Sequence, residues 1–231
     1  RFVFHLSIGM SALAALAASA PNLAFLGPTV LGYLYGASSN GPVALGNIIN
    51  FVTVIPATLI LLSIDSQPVA GPDGAKPQPV SVGSKIVQAL RQPVVWMPVL
   101  GVVVVLLGVT VPPPLDSALA LLGQASAGVA LFVSGIVLAS NKVTVSGPVL
   151  LLVIAKNIIQ PGLVIIALLL LGYGNPVLSE AVVAISVPSQ VLIAMLALQY
   201  KIAPVEFASV LALTTVGSLV TMSAFIALTG G

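Results

Sequence analysis

Two short stretches of this chain place a proline among small amide and hydroxyl side chains inside otherwise apolar sequence. They are Ala20-Pro21-Asn22 and Ile185-Ser186-Val187-Pro188-Ser189-Gln190. A proline inside a helix removes one backbone hydrogen bond and clashes with the preceding turn, so each stretch predicts a break. A broken helix leaves unpaired N–H groups at the start of its second half and unpaired C=O groups at the end of its first. The N–H end carries partial positive charge and can hold a carboxylate. Pro21, Asn22, Pro188, Ser189 and Gln190 are therefore the candidate substrate-binding residues, with Asn22, Ser189 and Gln190 adding side-chain donors and acceptors. In both stretches a tyrosine follows the proline at the same spacing, Tyr33 after Pro21 and Tyr200 after Pro188. One proline alone would be read as a simple kink. Two matched interruptions in one membrane chain point instead to a transporter's substrate site, because irregular backbone survives in a bilayer only where protein buries it or a cavity hydrates it.

Lys156 is the charge that lies well inside an apolar run, about eight residues from its start. That is roughly 12 Å deep at about 1.5 Å per residue. An ammonium there costs at least about 2.5 kcal/mol unless it is paired or hydrated. It either attracts an anionic substrate, changing partner between states, or snorkels to the cytoplasmic interface. Asn47, Asn50, Gln124, Ser126, Asn157 and Gln160 either line a cavity or bond between helices, packing being the commoner role, and Asn47, Asn50 and Gln124 are the candidate cavity-lining residues. Asp65, Asp116, Glu180 and Glu206 fall at segment ends or in loops, and His5 has no partner pattern. No nucleophile–base set, carboxylate pair or metal cluster can be assembled, so an enzyme is not expected. The chain has no cysteine, which removes disulfides and thiolate sites. No cofactor is expected; a coupling ion, Na+ or H+, stays open, with the lack of an intramembrane carboxylate weighing against H+.

The elements that position these residues follow from composition. Of 231 residues, 58% are hydrophobic and 5% charged. A soluble domain carries roughly 25% charged residues, so the chain is expected to be an integral, multi-pass, all-α membrane protein. The net charge of +2 is too small and scattered for nucleic acid. Seven apolar segments are predicted, at 8–35, 43–64, 94–111, 116–139, 148–171, 179–200 and 204–228. The first is expected to break at Pro21-Asn22 and again at Gly27-Pro28, and Pro112-Pro113-Pro114 is expected to stop the third. Residues 65–92, rich in Pro and Gly, read as a linker whose last part, 84–91, forms a short interfacial helix.

Lys76, Lys85 and Arg91 fall in one interhelical segment, Lys142 and Lys201 in two others, and every alternate loop lacks Lys and Arg. The positive-inside rule then puts the linker 65–92 in the cytoplasm and the turn around Ser38 outside. Residue 1 is arginine, and the natural start is expected to lie further upstream.

Laid out in order, the stretch from Ala17 through Pro21-Asn22 to Gly27-Pro28 is followed by Gln92-Pro93, Pro112-Pro113-Pro114-Leu115-Asp116, Leu122-Gly123-Gln124-Ala125 and Leu131-Phe132-Val133-Ser134-Gly135. Then come Lys156 with Pro161, Val187-Pro188-Ser189-Gln190 with Gln199-Tyr200, and Thr214-Thr215. This order resembles the auxin efflux carrier family, whose bacterial members include malonate-type transporters. The adjacent Gly27 and Pro28 depart slightly from the family's Gly-x-Pro-like stretch. The resemblance implies a fold of ten helices in two inverted repeats of five, related to the bile-acid sodium symporter fold, with two broken crossover helices at 8–35 and 179–200. Residues 1–64 would supply the last two helices of the first repeat and 93–231 the complete second repeat. Three helices would then precede this chain, which by itself would not transport. The implied function is secondary transport of small organic anions, such as malonate or auxin-like acids, by alternating access in a bacterial inner membrane. The partners would be the bilayer, the anion and, as a candidate, a second copy of the chain. A non-transporting membrane scaffold or assembly subunit is the alternative.

Overall fold

The computed structural model describes residues 6–65, 81–140 and 143–230, and every regular element among them is helical. The middle of the linker, with Asp73 and Lys76, lies outside the described residues, as do His5 and Lys142. Helix α1 (Ile8–Ser19) starts at Ser7, whose hydroxyl accepts from the Met10 N–H at 3.1 Å. After the break at Ala20-Pro21-Asn22, α2 (Leu23–Tyr35) runs on through Pro28. The second interruption expected at Gly27-Pro28 is thus absent: Pro28 costs one hydrogen bond near the start of a helix whose other turns hold it in line. The helix also runs two residues past Tyr33.

Gly36, with φ 63°, turns the chain into a short 3-10 turn, Gly36–Ser39, and α3 (Asn40–Ile49) folds back along α2. Leu23 at the start of α2 lies against Gly46 near the end of α3, where an added Cβ would collide with the leucine side chain. The stretch Leu23–Asp65 is 43 helical residues without a gap. As one rod it would be about 64 Å long, twice the hydrocarbon thickness, but the chain reverses at Gly36. A π-helical turn, Asn50–Val54, joins α3 to α4 (Ile55–Asp65). The α4 terminus caps α1, with Asp65 Oδ2 accepting from the Gly9 N–H at 2.9 Å.

Helix α5 (Val82–Leu90) begins two residues before the expected interfacial helix and packs on α4, Lys85 donating to the Ile64 carbonyl at 3.1 Å. It meets α6 (Pro93–Leu106) at 60°. Helix α6 stops before the triple proline is reached. Gly108, at φ 63°, lets its N–H reach the Val105 carbonyl at 3.0 Å and the Val109 N–H reach Val104 at 3.2 Å. A left-handed glycine closes the helix and the prolines instead open the next one: α7 (Pro113–Ser140) spans 28 residues, about 42 Å. Helix α8 (Gly147–Ile154) continues through a second π-helical turn, Ala155–Ile159, into α9 (Gln160–Leu170). The second interrupted helix is α10 (Val177–Ser186) with α11 (Leu192–Tyr200), and α12 (Pro204–Thr229) ends the description.

Among the described residues, three helical stretches are long and apolar enough to cross a membrane, or four if α5 and α6 form one bent span. Helices α1 and α10 are too short to cross alone. Leu106, Leu121, Leu170 and Val220 stand largely exposed, the pattern of a surface solvated by lipid. Inside, Leu13, Leu16, Leu59, Ile193, Phe207 and Val210 pack around α1 and α11, while Leu23, Leu31, Val43, Val183 and Val187 pack around α2 and α10. These two apolar clusters flank the two breaks.

Candidate functional site

The two breaks meet. Pro21 and Ser189 form an antiparallel bridge, in which the Asn22 N–H donates to the Pro188 carbonyl at 2.8 Å and the Gln190 N–H to the Ala20 carbonyl at 3.1 Å. The reason is local. Ala20 (φ −90°, ψ 109°) and Val187 (φ −61°, ψ 148°) precede prolines and are driven into the extended region. Two extended peptides with unspent N–H and C=O groups then pair as a minimal ladder. The Ser189 hydroxyl adds a bond to the Ala17 carbonyl at 2.7 Å, and the Ser186 hydroxyl bonds Val182 at 2.7 Å. Because the bridge is antiparallel, α1 packs beside α11 and α2 beside α10. Pro21, Asn22, Pro188, Ser189 and Gln190 are thus brought together, all of them buried.

Two kinds of helix end converge here. The N-terminal ends belong to α2 and α11. Asn22 is the N-cap residue of α2, yet its side chain makes no capping bond. Its Oδ1 and the Oε1 of Gln190 are buried without a hydrogen-bond partner, in residues only 3% and 5% exposed. Two orphaned amides in so dry a place run against the usual satisfaction of buried polar groups.

The C-terminal ends belong to α1 and α10, and one hydrogen-bond relay reaches a carbonyl of each. Lys156 is 0% exposed, so it does not snorkel. Its Nζ donates to the Ile185 carbonyl in the last turn of α10 at 2.7 Å and to Gln160 Oε1 at 2.8 Å. Gln160 Nε2 in turn donates to the Ser19 carbonyl, the last of α1, at 2.6 Å. The two partners fix the orientation of the Gln160 amide, since a flipped amide would set nitrogen against ammonium. The sequence leaves Gln160 between cavity lining and packing; its spacing of four from Lys156 on one helix is the signal that the two side chains meet.

The other polar candidates lie elsewhere. Asn50 is buried at the start of its π-helical turn, and Asn47 one turn earlier holds a buried, unpartnered Oδ1. Asn157, beside Lys156, donates to the Thr214 carbonyl at 3.0 Å and leaves its own Oδ1 unpartnered. Gln124 lies on α7, with its side chain outside the described residues. Among the described residues no group of His, Asp or Glu has the grouping a metal needs. An open apolar groove of about 480 Å³ runs beside the break, lined by Ala18, Ser19, Ala155, Gln160, Leu163 and Ala167 among others.

Residues 1–226 match the family described as membrane transport protein. Over 173 residues the chain is 38% identical to the uncharacterized transporter YfdV of Escherichia coli K12, and equally so to the YfdV proteins of Escherichia coli O157:H7 and Shigella flexneri. That alignment covers 74% of this chain and 51% of each relative, so it reaches about half the relatives' length. The chain belongs to the membrane transport protein family, the auxin efflux carrier family that its motifs resemble.

Proposed function

We propose that this chain forms part of a secondary transporter for small organic anions, with a carboxylate bound where the N-terminal ends of α2 and α11 meet. One observation carries the reading: Asn22 and Gln190, one at each end, are buried with amide oxygens that bond to nothing in the protein. An amide turned by 180° presents N–H in place of oxygen at nearly the same position. Two such donors, added to the partial positive charge of two helix starts, suit a carboxylate. Pro21, Pro188 and Ser189 hold the backbone open for it, and Lys156, bonded at the C-terminal end of α10, offsets negative potential that would otherwise repel the anion. The two interrupted helices act as the crossed, broken helices of an inverted-repeat transporter, residues 93–231 forming one five-helix repeat and residues 1–64 part of the other. Asn47 on α3 and Asn50 in the π-helical turn after it are the candidates to line a path to the site. The bacterial relatives support a place in a bacterial inner membrane.

Binding separates this reading from a scaffold. Purified protein should bind radiolabelled malonate or indole-3-acetate saturably, with competition by unlabelled carboxylates. A scaffold would show no saturable carboxylate binding, and that result would sink the proposal.

Orientation is tested with single cysteines, since the chain has none of its own. Ser38→Cys and Ser81→Cys both replace exposed residues. A membrane-impermeant maleimide should label Ser38→Cys from outside intact cells and Ser81→Cys only after the cytoplasmic face is opened. Reversed labelling would invert the orientation, and labelling of both from one face would remove a span.

A further inference from the structure

We propose that Lys156 is a built-in counter-cation: with Gln160 as its relay, its ammonium fills the negative pole formed where the C-terminal ends of α1 and α10 converge, a place that would otherwise call for a bound alkali ion. The charge balance is simple. Each helix C-terminus carries roughly −0.5 of an elementary charge. Two such ends held together amount to about −1, and one ammonium, itself fully buried, cancels them. The bonding pattern agrees. The ammonium donates to a backbone carbonyl of α10 and to the amide oxygen of Gln160, both neutral oxygens. Gln160 passes the link to the final carbonyl of α1. Neutral carbonyl and amide oxygens at half-helix C-termini are the ligands that hold Na+ in broken-helix transporters, and hard cations favour such oxygens generally. Here a tethered cation stands among them, entirely shielded from solvent.

The surroundings explain how a lysine can serve. A π-helical turn, Ala155–Ile159, carries Lys156, and the Gln160 N–H closes its wide ring on the Ala155 carbonyl. Such turns widen the helix locally and recur at functional sites. In this one Lys156 reaches α10 while Gln160 reaches α1, so one turn of one helix touches both interrupted helices. This pole therefore needs no alkali ion, whatever anion occupies the opposite pole.

The test is thermal unfolding of the purified chain in detergent, in N-methyl-D-glucamine chloride, NaCl, LiCl, KCl or ethylammonium chloride at matched ionic strength. Wild type should melt at one temperature in all five. Lys156→Ala removes the charge and opens a cavity. It should melt several degrees lower in N-methyl-D-glucamine, with saturable recovery in ethylammonium or Na+. Gln160→Glu is the second variant, kept for the case that Lys156→Ala does not fold. It retains an oxygen for the ammonium but makes the pole one charge too negative, so its stability should become dependent on small cations. A saturable rise in the wild-type melting temperature with Na+ would overturn the inference. So would a Lys156→Ala protein that melts like wild type in N-methyl-D-glucamine, or one that no small cation restores. Cation-independent melting of Gln160→Glu would overturn it equally.

Discussion

Asn22→Ala and Gln190→Ala should each weaken carboxylate binding by roughly 10- to 150-fold while leaving the melting temperature close to wild type. A hydrogen bond to a charged group is worth about 1.5–3 kcal/mol, and each 1.4 kcal/mol is about tenfold in affinity. The unusual part is the stability. Truncating a buried polar side chain ordinarily orphans its partner, which costs as much as the lost bond. Here the amide oxygens have no partner to orphan, and removing an unpaired buried amide relieves part of the cost of the space it leaves. Binding and stability should therefore separate, which a purely structural role for these residues would not produce. Displacement of labelled malonate, measured beside thermal melting on the same preparations, reads both. Wild-type affinity in both variants would show that the carboxylate lies elsewhere. A large loss of stability would show that the amides serve the fold.

Gln160→Leu should lower stability by about 3 kcal/mol. The substitution removes one acceptor from a buried ammonium, worth about 1.5–3 kcal/mol, and one donor from the Ser19 carbonyl, worth about 1 kcal/mol. Leucine is one bond shorter but of comparable volume and leaves little void, so the loss is mainly one of hydrogen bonds. Ser19→Ala is the matched control. The Ser19 hydroxyl bonds only to the Ala15 carbonyl one turn back, and the backbone carbonyl that Gln160 uses is untouched. Thermal unfolding followed by circular dichroism should place Ser19→Ala near wild type and Gln160→Leu many degrees lower. Coincident melting of the two variants would mean that the link from Lys156 to α1 contributes nothing.

What could be read from the sequence was what local chemistry dictates. Pro21 and Pro188 interrupt helices because any interior proline presses its helix to do so, and the polar residues beside them mark where freed peptide groups find partners. Pro28 carries the same signal and breaks nothing, because no neighbouring peptide waits to pair with it as Pro188 does for Asn22. The depth of Lys156 was legible from the apolar run around it, its destination was not: Ile185 lies on another helix, and nothing in the periodicity of residues 148–171 points there. The stop of α6 was misplaced because three prolines outshine one glycine, although Gly108 has the freedom that a left-handed closure needs. The two π-helical turns had no signature at all, since their residues are ordinary helix formers and the widening serves contacts made in three dimensions.

Peptides 20–22 and 188–190 are rungs of a very short ladder, and rungs do not slide. Displacing one interrupted helix along the other by a single residue, about 3.3 Å, would snap both backbone bonds together with the bond from Ser189 to Ala17. Gln160 anchors α1 to α9, and the Ser38 hydroxyl holds Glu180 Oε1 at 2.6 Å, pinning the turn after α2 to the first turn of α10. Bonds loaded in parallel yield together or not at all. Helices α1, α2, α10 and α11 are therefore bound into one stiff unit, and any motion of that unit has to be taken up at thinner joints. Those joints are visible: α6 rests chiefly on α5 and the turn Asn50–Val54, and α7 on α12. On the proposed function, such a unit would carry its binding pocket whole, so the pocket's chemistry would stay constant and only its exposure to each side would change.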